Sequence, residues 1–359
     1  MTRQGAAHWL WHDVTNRGIT AWLVASLFTA FYLVLYFTEW FTPAAVALGL
    51  GSKWTLYGCL YTIAVVGGGL LVIRKYRHNR YQVVRTCVVM FVQAVFAFAV
   101  PLILKFFQQP EYYFSYLWPL KMDYFTPNYI FSLPLPYILY SFIGSLIVVP
   151  LLAALFGKRW YCSWVCGCGG LANTFGEPWR HLSDKSSTAW RFEKVAIHSV
   201  LGISLLLTAF LFISYGAGKR YPEFVQLTAR FQSFYGLVVS SLLAGVVGVG
   251  LYPLGGTRVW CRNFCPMAAL LGLVQKFGRY RITVKENMCI SCGMCSKYCE
   301  MGIDVRAYAQ ANESFTRASC VGCGLCAEVC PRGVLRLENV GRPAPQEQKL
   351  VQITMNPNY

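Results

Sequence analysis

Residues 289–300 read CISCGMCSKYCE, and residues 320–331 read CVGCGLCAEVCP. Each segment spaces four cysteines as Cys-x2-Cys-x2-Cys-x3-Cys: Cys289, Cys292, Cys295 and Cys299, then Cys320, Cys323, Cys326 and Cys330. Two residues between sulfurs let successive thiolates curl round one cube of iron and sulfide. Gly293, Gly322 and Gly324 suit the tight turns this requires, because glycine accepts positive φ. Pro331 stops any helix that would continue past the second run. Zinc takes four ligands, commonly as two pairs, rather than two interleaved sets of four. A disulfide framework belongs to small secreted domains.

Doubled in this way, the spacing is that of a bacterial two-cluster ferredoxin, in which the fourth cysteine of each run ligates the other cluster. One [4Fe–4S] cluster is therefore assigned to Cys289, Cys292, Cys295 and Cys330, and a second to Cys320, Cys323, Cys326 and Cys299. A small α+β ferredoxin domain is expected over residues 281–338, followed by a tail at 339–359. Glu300 stands where proline is usual. All four sulfurs of that run are in place, so the departure is read as without consequence.

The rest of the chain belongs to a different solvent. Of its 359 residues, 56% are hydrophobic and 13% charged, against about 25% charged in soluble domains. The composition is that of an integral membrane protein with a modest soluble part. A net charge of +17 suggests nucleic acid only until the bases are located. They flank apolar spans, as topology and anionic lipid require, and no nucleic-acid-binding motif interleaves with them. Fifteen cysteines, mostly in cluster spacing, place the part that bears them in a reducing compartment.

Six membrane spans are read at Ile19–Phe37, Leu56–Ile73, Val83–Phe107, Tyr137–Phe156, Val195–Ser214 and Phe234–Leu254, each near the roughly 20 residues that cross the hydrocarbon. They make an all-α transmembrane domain over residues 19–280. The first span is too long for a signal-peptide core and lacks a small-residue cleavage site, so it is expected to stay. Residues 1–18, with Trp9, Trp11 and His12, read as an interfacial segment. Arg74, Lys75, Arg77 and Arg80 follow span two; Lys158, Arg159, Arg180 and Lys185 follow span four; Arg258, Arg262, Lys276 and Arg279 follow span six. Lys219, Arg220 and Arg230 are a mild exception on the other side. The positive-inside rule then puts both termini and the ferredoxin segment in the cytoplasm of a bacterial inner-membrane protein. The loop over residues 108–136, with Tyr112, Tyr113, Tyr116, Trp118, Tyr124 and Tyr129, falls on the far side. It reads as an interfacial aromatic belt or as a docking surface for a periplasmic partner.

A second pair of motifs stands at the ends of spans four and six. GKRWYCSWVC and GTRVWCRNFC align as Gly-x-Arg-x-aromatic-Cys-x3-Cys, matching Gly157 to Gly256, Arg159 to Arg258, Cys162 to Cys261 and Cys166 to Cys265. We read an internal repeat of a helix plus a cysteine corner. If each corner is helical, its two cysteines lie one turn apart on one side. Four such thiolates suit a third iron–sulfur cluster, another metal, or two redox-active dithiols. Arg159, Arg258 and Arg262 would stabilise the anions. Cys168, in the run CGCGG, is either a replacement ligand or a bystander. Cys59 and Cys87 read as core packing.

Over about residues 130–338 the chain resembles the NapH/NosR/CcoG group of membrane polyferredoxins, which combine transmembrane helices, two Cys-x3-Cys-Pro corners and a C-terminal two-cluster ferredoxin. Cys261, Cys265 and Pro266 fit the corner pattern. The first corner carries Gly167 in place of the proline and adds Cys168, marking a divergent branch. The flavin-binding periplasmic domain of NosR-type members is not expected here. The resemblance implies electron transfer between the quinone pool and partner subunits of a membrane redox complex, or reduction of a metal or thiol during assembly of a respiratory enzyme. A purely anchoring role for the corners is the third reading. Only His198 among His8, His12, His78, His181 and His198 lies in a span, which speaks against a bis-histidine haem relay. Glu193, Lys194 and His198 open span five, either as a quinone site or as a solvated helix start.

Overall fold

The computed structural model describes residues 6–218 and 220–340. The first five residues of the expected interfacial segment, Lys219 and nearly all of the 339–359 tail lie outside them.

Six helices are long and apolar enough to cross a membrane: Ile19–Phe37, Lys53–Lys75, Arg80–Phe106, Leu135–Phe156, Ser187–Ala217 and Pro222–Gly250. All six expected spans are there. The fifth begins eight residues before its expected start, because Arg191, Glu193 and Lys194 interrupt the apolar pattern without interrupting the helix. Ser186 caps it, its hydroxyl accepting from Ala189 N at 3.1 Å. At 1.5 Å per residue the helix is about 46 Å long, more than the ~30 Å hydrocarbon requires, so one end projects. Three spans loosen locally into π-helix, at Val95–Ala99, Gly144–Val148 and Gly236–Val247. The first two stretches each contain the residue four before a proline, Pro101 or Pro150. That carbonyl clashes with the proline ring and receives no hydrogen bond from it.

The N-terminal helix Ala6–Thr15 carries Trp9 and Trp11, both exposed. Past it, Arg17 donates to Leu254 O at 2.8 Å and Leu182 O at 2.5 Å, tying the N-terminal segment to the region of the corners.

The C-terminal part is closed by strand β1 (Tyr280–Val284) pairing antiparallel with β2 (Leu335–Asn339), in register from Tyr280↔Asn339 to Val284↔Leu335. Between them, each cysteine run turns into a short helix, Met294–Lys297 or Leu325–Glu328, entered through Gly293 at φ +75 or Gly324 at φ +71. Gly322 is at φ +68. The turns expected of these three glycines are therefore present.

This part is fused to the membrane helices. One buried core runs from Val149, Cys162 and Met267 through Ile282, Cys295 and Ile303. Tyr81 Oη donates to Gly322 O at 2.7 Å, and Gln82 Nε2 to Cys323 O at 2.6 Å. Gly278 and Gly157 touch backbone to backbone: a Cβ on Gly278 would lie 2.0 Å from Gly157 Cα.

The aromatic loop after span three is largely core: Tyr112, Trp118 and Tyr124 are buried with Leu117, Met122 and Phe125, and Tyr113, Tyr116 and Tyr129 are half-buried, so its rings do not form a fully exposed belt. The loop folds into the helices. Trp118 Nε1 donates to Thr208 Oγ1 at 3.0 Å, and the Tyr161 hydroxyl donates to Ser115 O. Irregular backbone is tolerated at such a place because protein, not lipid, surrounds it.

Candidate metal centres

The two ferredoxin quartets assemble crosswise. Cys289, Cys292 and Cys295 from the first run surround one hollow with Cys330 from the second. Cys320, Cys323 and Cys326 lie within electrostatic reach of Cys299. Burial pushes Cys299 up to about 12 and raises Cys323 and Cys326 as well. Among the described residues, no three His, Cys, Asp or Glu side chains converge on a point as a single metal ion demands. The first quartet instead rings a space, the arrangement that suits a cube of atoms.

The corners repeat each other closely, but not as single helices. Trp160–Trp164 holds Cys162, and Val259–Asn263 holds Cys261. Cys166 and Cys265 each stand outside these helices, in extended backbone, as the N-cap of the next helix, Gly167–Asn173 or Pro266–Val274. The bend is held the same way twice: Cys166 N donates to Tyr161 O at 2.9 Å, and Cys265 N to Trp260 O at 3.1 Å. The expected one-turn spacing on a shared helix is thus replaced by a helix–bend–helix corner. Gly157 at φ +73 and Gly256 at φ +83 make the turns that open the two corners, a conformation that glycine alone adopts without strain.

The corners face one another, and their arginines cross. Arg159 Nη1 donates to Cys261 O at 2.9 Å, and Arg258 Nη1 points to Cys162 O at 3.4 Å and to Cys261 Sγ at 3.8 Å. Each arginine also grips one ferredoxin run. Arg159 Nε donates to Ala318 O at 2.8 Å, and its backbone N to Cys320 O at 3.2 Å. Arg258 Nη2 reaches Glu300 Oε1 at 3.0 Å. All four corner cysteines are buried. Burial raises Cys162, Cys261 and Cys265. Cys166 differs: a hydrogen bond from the Cys168 thiol, with the N–H groups of Gly169 and Cys168, brings it down to about 7. Cys168 thus stands against Cys166, close enough to act on it.

Gly167 also acquires a reason. A Cβ there would lie 2.4 Å from Tyr116 Oη, so the first corner gives up the proline of the second to admit a tyrosine from the infolded loop. The Tyr61 hydroxyl donates to Gly167 O at 2.8 Å beside it.

Several site expectations change. Glu300, read as without consequence, is fully buried and pairs with Arg258 and, at 3.5 Å, Arg180. Burial alone would raise its carboxyl; Arg258, Arg180 and Arg85 outweigh this and hold it at about 2. Arg262 does not serve the thiols. Its Nε pairs with Glu193 at 2.8 Å, both buried. Glu193 is therefore not a solvated helix start, and it points away from solvent while Lys194 and His198 do not. Lys194 stacks 3.6 Å from the centroid of the Trp190 ring, and His198 is exposed. Cys87 is exposed and Cys59 only half-buried, so neither is core packing. A carboxylate placed next to a ligand cysteine, where proline is usual, was the signal in the sequence that pointed to Glu300.

Arg85, Lys158, Arg159, Arg180, Arg258 and Arg262 are buried, against Glu193 and Glu300 as the only buried carboxylates among the described residues. Lys158 Nζ, Arg85 Nε, and Arg180 Nε and Nη1 find no hydrogen-bond partner. Unpaired buried cations are costly. Thiolate-held iron–sulfur clusters carry net negative charge, and they would supply the counter-charge this side of the molecule lacks.

Comparison with known proteins agrees with this chemistry. Residues 282–337 match the model of the 4Fe-4S dicluster domain, and residues 138–185 and 237–285 each match a 4Fe-4S binding domain. The second model thus falls once on each corner with its preceding span, which is the internal repeat. The chain is similar to YccM of Escherichia coli (strain K12), provisionally named an electron transport protein, at 27% identity over 45% of this chain and 46% of that one. It is similar to the methylamine utilization ferredoxin-type protein MauN of Methylobacillus flagellatus, at 31% over 40% of this chain and 49% of that one. The regulatory protein NosR of Stutzerimonas stutzeri matches at 22% over 47% of this chain and 22% of its own length. The chain spans about half the length of the first two relatives. No solved structure matches.

Proposed function

We propose that this chain, an iron–sulfur electron-transfer protein of the membrane polyferredoxin type, relays electrons between the quinone pool and a partner redox subunit at the bacterial inner membrane. The observation that carries the quinone assignment is an aromatic-walled hollow of about 250 Å³ where span four meets the ferredoxin domain. Its size comes close to the lower end, about 300 Å³, of clefts that take small organic ligands. Tyr81, Trp160, Trp164 and Tyr280 supply flat walls, and Leu152 and Phe156 come from the membrane helix. Val321 and Gly322, between Cys320 and Cys323, form its back. A quinone ring held there by stacking would lie against the loop that carries three cysteines of the second quartet.

In this reading Cys289, Cys292, Cys295 and Cys330 hold one [4Fe–4S] cluster, and Cys320, Cys323, Cys326 and Cys299 the other. Bound there, the clusters supply one-electron chemistry, and the protein supplies position and field. Cys162, Cys166, Cys261 and Cys265 hold a third iron–sulfur centre between the corners, with Cys168 against Cys166. Basic loops keep the ferredoxin domain on the cytoplasmic side.

The test is reduction of the purified, lipid-reconstituted protein by a short-chain quinol, followed by bleaching of iron–sulfur absorbance. Quinol-dependent bleaching that slows about tenfold in Trp164→Ala, at unchanged iron content, supports the proposal. Full iron content with no response to any quinol or quinone removes the quinone pool from the function and leaves the assembly reductase as the reading.

A further inference from the structure

The two ferredoxin quartets have unlike surroundings, and Lys158 is the centre of the difference. It lies between Gly157 and the corner arginine, at φ +60, a left-handed conformation that a non-glycine residue rarely adopts. It is also 3% exposed. Its stem lies along the second cysteine run, where a Cβ on Gly322 would come 3.0 Å from Lys158 Cβ and Cγ. Its ammonium sits 5.9 Å from the centre of the Phe315 ring and has no hydrogen-bond partner, within electrostatic reach of Cys326. Arg85 and Arg180, also buried and only partly paired, act on Cys323. Glu300 is the one buried carboxylate in this set. The first quartet differs in its cations rather than in its sulfurs. Cys292 is exposed and Cys295 buried, and the second quartet's cysteines are half-buried, but the bases lining the first hollow, Arg306 and Arg332, are exposed. Water and salt screen those two charges.

One-electron reduction of a cluster adds one negative charge and breaks no bond. A buried, unscreened cation therefore favours the reduced form, and net charge is among the factors that set cluster potentials. We propose that Lys158, a positioning residue backed by Arg85 and Arg180, holds the second quartet's centre at a higher reduction potential than the first quartet's. An electron delivered to the solvent-facing centre by a soluble one-electron donor then comes to rest on the centre against the membrane. This goes beyond the quinone reading and rests only on both quartets holding clusters.

The test is a potentiometric EPR titration of the iron-loaded full chain with dithionite, in the presence of a soluble gadolinium chelate that broadens whichever centre lies nearer the surface. The expected result is that the shielded centre reduces first. In Lys158→Met, the reduced-to-oxidised ratio of that centre at a fixed potential falls about tenfold, a shift of about 59 mV for one electron. Lys158→Arg restores it, and Arg306→Met leaves both centres in place. The order in unaltered protein needs no variant, so a misfolded Lys158→Met does not shelter the proposal. If the chelate-accessible centre reduces first, or if both centres move together in Lys158→Met, the proposal is overturned. A preparation that binds no iron overturns it along with the cluster reading; reversed order in a loaded preparation overturns it alone.

Discussion

Arg258 Nη2 stands 3.0 Å from Glu300 Oε1, and neither side chain is more than 1% exposed. The pair joins the second corner to the end of the first cysteine run. It ties a membrane-helix terminus to a ferredoxin loop through charge rather than through covalent chain. Removing one partner of a buried pair leaves the other uncompensated, at a cost of about 3–5 kcal/mol. Glu300→Gln should therefore lower the thermal midpoint of the detergent-solubilised protein more than Glu328→Gln does. The double variant Glu300→Gln/Arg258→Gln should lose less than the sum of the two single changes. Strict additivity would mean that the two side chains do not interact.

The corners make an independent prediction. Gly169 packs so tightly that a Cβ would fall 1.8 Å from Cys162 O. On the proposed third centre, Gly169→Ala and Cys261→Ser should each remove about four of about twelve irons while leaving the two ferredoxin EPR signals in place. A count of about eight in the unaltered protein would show that the corners hold no cubane.

Gly278 governs docking. Gly278→Ala must push β1 away from the end of span four, at roughly 1–3 kcal/mol. Trypsin should then cut faster at Arg279 and Arg281, with the spans still intact. Equal cutting rates in variant and parent would mean that the contact is dispensable.

The infolded loop is predicted to act as core. Trp118→Ala should cost about 3–5 kcal/mol, measured as the loss of thermal midpoint. A surface used only for docking would show no such loss.

Glu177 gives a pH dependence. Burial alone would raise its carboxyl, but Arg180, Lys75 and a hydrogen bond from Tyr76 outweigh it and hold it below the usual glutamate value. A depressed folded value means that its stabilisation is complete above the unfolded value of about 4.3 and fades as pH falls through the folded one. Glu177→Gln should therefore melt lower than the parent by about 1 kcal/mol near pH 7, with the gap closing below about pH 4.

The spans were legible because a bilayer imposes length and apolarity on every helix that crosses it, and both are properties of a single segment. Span five was read short because charged residues near its end lower local hydropathy, although Glu193 finds Arg262 only across the fold. The same limit explains the aromatic loop. Tyr112 and Trp118 look alike whether they face lipid headgroups or a protein interior, and only their neighbours decide. The role of Glu300 is illegible in sequence for a related reason: a carboxylate beside a ligand cysteine carries no signal of its partners until three arginines from distant segments close around it.

By itself, the sequence determined the chemistry of this protein. Sulfur ligand spacing is short-range, so the two cysteine runs and the repeat of the corners can be read along the chain, and the crosswise exchange follows from the two-cluster ferredoxin pattern that the doubled run resembles. The tertiary structure decided the electrostatics: which cations are stripped of water, which cluster loop they face, and how Arg159 and Arg258 cross between the corners. Charge acts through space and through the local dielectric, and neither is a property of the linear order in which Lys158 and Cys326 are written.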